Sequence, residues 1–109
     1  MSKSTLDKQV RYCLQVFADT RNSDIELTKR IWIVYYPTAL SKSATGQFYV
    51  ALDKLADLPR EDNVKRIRAK IQNTEKLYLP TDAKVAKARG WEVTEWRKYL
   101  GYASLGEYL

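Results

Sequence analysis

The chain has 109 residues, 45% of them hydrophobic, with 19 Lys and Arg against 13 Asp and Glu for a formal charge of +6. That length suits one domain with one modest core, and that apolar content excludes a disordered tail. One cysteine and no histidine exclude an internal disulfide and the usual zinc sites, and remove the commonest general base for catalysis near neutral pH.

The first helix is expected from Ser4 and Asp7, which have capping-box spacing, to about Thr20. Leu6, Val10, Cys13, Leu14 and Phe17 share one of its faces, so Cys13 reads as core packing. Arg21 to Ser23 is a turn, and Ser23 with Glu26 forms a second capping box. Leu27, Ile31, Val34 and Tyr35 continue the helical spacing until Pro37, which disfavours helical geometry at Tyr36. Pro37 to Gly46 is polar and small, an exposed loop. A strand near Thr38 to Leu40 could pair with Gln47 to Val50 as a small β-hairpin.

Ala51 to Leu58 predicts a third helix, broken at Leu58-Pro59. A fourth, from about 61 to 73, carries Val64, Ile67 and Ile71 on one side. Its remaining residues are strongly basic: Arg60, Lys65, Arg66, Arg68 and Lys70. Glu61 and Asp62 sit in its first turn, where the helix dipole favours negative charge. Leu77, Tyr78 and Leu79 anchor the following connection. Thr81 or Asp82 caps a fifth helix, Ala83 to Arg89, with Gly90 at the position where left-handed geometry suits glycine. A sixth helix runs from about Val93 to Leu100, closed by Gly101, and residues 102–109 form a docking or flexible tail. The fold class is therefore mostly α: a helix-turn-helix bundle of about five to six helices, with a small β-hairpin as a wing, in one domain over 1–109.

A basic amphipathic helix on a small basic domain suits a nucleic-acid partner, although ordinary solvated helices also carry such faces. Placed in the major groove, Lys65, Arg66 and Lys70 can neutralise phosphates or read guanine, and Gln72 and Asn73 can read adenine. Arg60 and Asn63 lie near the helix start and would make the first contacts, Arg68 adds charge, and Lys42 in the loop could touch phosphate as a wing tip. Trp32 and Trp96 fall on apolar faces and read as core; Tyr49 and Tyr78 are the candidates for stacking on single-stranded bases.

Two helix pairs can be drawn, one across Leu58-Pro59-Arg60 and one across Gly90. In the second, Ala86, Gly90 and Trp96 resemble the helix-turn-helix consensus of a small residue, a turn glycine and a buried apolar residue, in outline as in sigma-factor and phage-repressor domains. Its second helix opens with Glu92 and Glu95, which repel phosphate, so packing or dimerisation suits this pair better. Leu58 to Gln72 is similar to the recognition-helix segment of small phage and mobile-element DNA-binding proteins, and that resemblance implies a helix-turn-helix or winged-helix accessory protein.

The expected function is duplex DNA binding through the helix at 61–73, as a small regulatory or accessory protein, without enzymatic activity, metal or cofactor. The alternative is a protein-interaction module that uses the basic face and the aromatic C-terminal tail. A specific DNA reader of this size would pair as a homodimer. Asp53 and Asp57 as a Mg²⁺-nuclease cluster are the third option, less suited because they lie i, i+4 on an ordinary helix. The start, Met1-Ser2-Lys3-Ser4, has no signal-peptide character, no stretch reaches membrane-spanning length, and the free thiol fits a reducing compartment. A cytoplasmic protein with no membrane partner is expected.

Overall fold

The computed structural model describes residues 3–103, with side chains for 5–99. Among the described residues are six α-helices and one antiparallel two-stranded sheet: α1 Lys3–Val16, α2 Asp24–Tyr35, β1 Leu40–Lys42, β2 Phe48–Val50, α3 Leu52–Leu55, α4 Glu61–Ala69, α5 Ala83–Ala88 and α6 Val93–Ala103. The molecule is mostly helical with a small hairpin, as its periodicity predicts.

Helices α1, α2 and α4 pack around Leu6, Val10, Cys13, Leu14, Leu27, Ile31, Val64 and Ile71, with Phe17, Trp32, Tyr36, Ile67 and Tyr78 at the margin. Each buried Val, Leu or Ile side chain contributes about 1.5–3 kcal/mol of transfer free energy. A second, smaller core holds Leu79, Ala86 and Trp96 beneath α5 and α6, bordered by Trp91 and Tyr99. Trp96 belongs to the core as expected. Trp32 is half-buried: it packs against the main core, and its indole N–H donates to the Pro59 carbonyl at 2.9 Å.

Helix α1 stops at Val16, short of the predicted Thr20. The Thr20 hydroxyl donates to the carbonyls of Cys13 and Phe17, at 3.0 and 2.6 Å. These bonds serve carbonyls at the helix end and turn the chain into a 3-10 segment, Ala18–Asn22. Ser4 lies within α1, and its side chain is outside the described set. Ser23 caps α2 as predicted, its hydroxyl accepting from the Glu26 N–H at 3.2 Å; the Glu26 carboxylate pairs instead with Lys29. Pro37 ends α2 at Tyr35. The hairpin forms two residues later than expected on its first strand, pairing Leu40 with Val50 and Lys42 with Phe48, because Pro37–Ala39 is taken up in a 3-10 turn.

Helix α3 is a single turn rather than the predicted Ala51–Leu58. Leu52 is 88% and Leu55 46% exposed, so its leucines have no surface to bury against. After Ala69 the fourth helix widens into a π turn, Lys70–Thr74, closed by the Glu75 N–H donating to the Lys70 carbonyl. Lys76 and Tyr78 follow with φ of +59° and +49°, each costing about 1–3 kcal/mol that surrounding contacts must offset. The Lys76 ammonium sits about 5 Å from the ring centres of both Trp91 and Tyr99, and the Tyr78 carbonyl accepts from buried Gln72. Asp82 caps α5 through the Lys84 N–H. At its other end Gly90 N–H donates to Lys87 and Trp91 N–H to Ala86, the Schellman pattern, with Gly90 at φ +88°. Helix α6 runs through Gly101 to Ala103, past the predicted stop. Most of the predicted tail lies outside the described residues.

Burial pushes the Cys13 thiol up from 9.0 to about 11. Its fully buried sulfur is expected to resist a thiol reagent such as an aromatic disulfide at pH 7 in the native protein and to react at once in denaturant; rapid native labelling would show that α1 opens readily. The folded state holds the thiol proton more tightly than the unfolded state. The associated stability is therefore complete below about pH 9 and is lost as pH rises toward 11.

Candidate functional site

Helix α4 starts at Glu61 because Pro59 holds the chain extended and Arg60 occupies the N-cap position. Its inward stripe is Val64, Ile67, Arg68 and Ile71. Arg60, Asn63, Lys65, Arg66 and Lys70 remain exposed, as expected. Arg60 meets Asp62 at 3.6 Å. Among the described residues no ion pair engages Lys65, Arg66 or Lys70.

The cations divide into two flanks. Asn63, Arg66 and Lys70 follow at i, i+3 and i+7 and, with Arg60, border an open groove of about 700 Å³. Leu6 from α1, Leu58 and Pro59 from the α3–α4 link, and Ile67 line it with apolar surface; Asp7, Ala56 and Asp57 complete the wall. Lys65 points away, on the other side of the helix. The groove was not visible in the sequence, because its walls come from segments far apart in the chain.

Three of the predicted DNA contacts have other duties. Arg68 is 4% exposed and faces α2, where its Nε and Nη2 donate to the two Asp24 carboxylate oxygens at 2.8 and 2.9 Å. Gln72 is fully buried. Its amide donates to the Tyr78 carbonyl at 2.8 Å and the Arg21 carbonyl at 3.3 Å, and its oxygen accepts from Arg89 at 3.1 Å. Asn73 is exposed, yet its side-chain oxygen accepts the Trp91 indole N–H at 3.1 Å. Arg68 and Gln72 are therefore withdrawn from the accessible set, and Asn73 serves first as a link to the C-terminal helices.

These residues belong to a polar junction absent from the sequence reading. Arg89 also donates to the Arg21 carbonyl at 2.6 Å, and its burial lowers its affinity for its proton. Asn22 accepts from the N–H groups of Thr81 and Asp82 and donates to the Thr81 hydroxyl. The turn between α1 and α2 is thereby fastened to α4 and to the start of α5. Arg11, held by Asp7 one turn earlier on α1, ties α1 to the end of the π turn through Glu75, and its hydrogen bond holds the Glu75 carboxyl below the usual range.

The other predicted features fall as follows. Lys42 is exposed on β1, its ammonium 5.5 Å from the Phe48 ring centre. Tyr49 is 57% exposed on the hairpin, whereas Tyr78 is half-buried with the Arg21 guanidinium over its ring. In the second helix pair Ala86 and Trp96 meet in the smaller core. Glu92 has a structural task there: its carboxylate accepts from the N–H groups of Thr94 and Glu95, which lowers its pKa and closes the first turn of α6. Asp53 and Asp57 are exposed, and among the described residues no group of three or more metal-binding side chains gathers. No helix among them is long and apolar enough to cross a membrane.

No protein-family model, curated protein or solved structure matches the chain.

Proposed function

We propose that the chain binds DNA, as a small regulatory or accessory protein, through the cationic edge of α4. The observation that carries this reading is the exposure of Arg60, Lys65, Arg66 and Lys70 along one short helix, three of them without an ion pair among the described residues. Such cations release condensed counterions when they meet phosphates, which supplies affinity whatever the base sequence. The net charge of +6 adds long-range attraction. With Gln72 buried and Asn73 bonded to Trp91, both adenine readers are engaged elsewhere; the exposed cations meet the phosphate backbone first, and backbone contacts position a protein without specifying a sequence.

The test is fluorescence anisotropy with labelled random-sequence duplex DNA across a salt series. Replacing Lys65 and Arg66 by alanine is expected to weaken binding and to reduce the slope of log affinity against log salt by about 1.8, two phosphates at roughly 0.9 each. An unchanged affinity and slope would place the interface elsewhere. Absence of binding even at low salt would favour a protein partner for the same face.

A further inference from the structure

We infer that the groove beside α4 accepts an unpaired nucleobase, so that the chain prefers DNA with a single-stranded segment to blunt duplex. This rests on the DNA-binding reading above and adds the form of DNA that the site selects.

The first reason is shape. The cationic flank formed by Arg60 and Arg66 borders a hollow of about 700 Å³, within the range of about 300–1,000 Å³ found for pockets that engulf small molecules. A duplex keeps its bases stacked inside, and only its grooves and phosphates meet a protein surface. A base can enter a concavity only when it is unpaired or extruded, and an unpaired one enters with the least loss of stacking.

The second reason is lining. Leu58 and Ile67 give the hollow apolar surface, suited to a flat heterocycle leaving water. Arg60 and Arg66 stand at its edge, and guanidinium planes both stack on bases and reach the adjoining phosphates. Asn63 offers an amide with donors and an acceptor, and Asp57 an acceptor for exocyclic amines. The third reason is negative: of the two residues suited to reading adenine in the major groove, Gln72 is buried and Asn73 is bonded to Trp91.

The experiment compares the full chain's affinity for three labelled probes at one low salt concentration: a blunt 20-base-pair duplex, that duplex with a six-nucleotide overhang, and one of its strands alone. The overhang and single strand are expected to bind at least fivefold more tightly than the blunt duplex. Ala56→Trp, at an exposed lining position, is expected to fill the groove and abolish that preference while leaving blunt-duplex affinity unchanged. Asn63→Ala should reduce the preference by itself, and it tests the same point should the larger substitution disturb folding. Lys65→Ala should weaken all three probes alike. Equal affinity for the three probes, or a preference that survives both groove substitutions, would overturn the inference while leaving DNA binding intact. Failure to bind any probe would overturn the DNA reading itself, and this inference with it.

Discussion

Replacing Arg68 by alanine is expected to lower the unfolding free energy by about 3–5 kcal/mol, since removing one partner of a buried pair strands the other charge. The Arg68 and Asp24 side chains are only 5% and 15% exposed, so water can do little to solvate the Asp24 carboxylate that remains. That loss is a large fraction of the roughly 5–15 kcal/mol that holds a typical domain together. Urea denaturation would record it as a lower midpoint. A loss below about 1 kcal/mol would mean that Asp24 can turn to solvent at little cost. Removing both charges together, as Asp24→Asn with Arg68→Met, should cost less than Arg68→Ala alone, because no uncompensated ion is left inside.

Gln72→Leu is expected to cost about 2–4 kcal/mol, although leucine nearly fills the same space. The Tyr78 carbonyl loses its 2.8 Å donor and Arg89 loses one acceptor, and buried polar groups left without a partner cost about 1–3 kcal/mol each. Denaturation again measures the effect. The fluorescence of Trp91 and Trp96 adds a local readout, since Gln72 adjoins the joint between α4 and the C-terminal helices. If the substitution left the unfolding midpoint unchanged, solvent would have to reach that joint in the native state.

Much of the architecture was legible because it follows from local chemistry. Ser23 and Pro37 bound α2, Gly90 supplies a left-handed residue after α5, and the apolar stripes of α1, α2 and α4 supply the main core. On α4 charge does not imply exposure. Val64, Arg68 and Ile71 stand at i, i+4 and i+7, so the spacing that buries the two aliphatic residues also turns Arg68 inward. What made that burial affordable was Asp24, forty-four positions away on α2, and no local pattern links the two. Gln72 follows the same rule: i+8 from Val64 and i+4 from Arg68, it continues the inward side of the helix, and the Arg21 and Tyr78 carbonyls and Arg89 that satisfy it lie outside the helix. The third helix was overestimated because leucine spacing signals a helix only where another surface waits to cover it. The candidate groove was hidden altogether, since Leu6 and Leu58 meet only in the folded chain.

The two separate cores bear on how the molecule comes apart. Leu79, Ala86 and Trp96 form a cluster of their own, and much of what ties it to the larger core is a set of directed polar bonds through Arg21, Asn22, Gln72 and Arg89. Apolar burial tolerates small displacements, whereas hydrogen bonds weaken steeply once their geometry is lost. The C-terminal helices can therefore open as a cooperative unit before the three-helix core unfolds, giving amide protons in α5 and α6 a lower protection than those in α1 and α2. The chain thus has a hierarchy of stabilities, and the polar joint sets the gap between its levels.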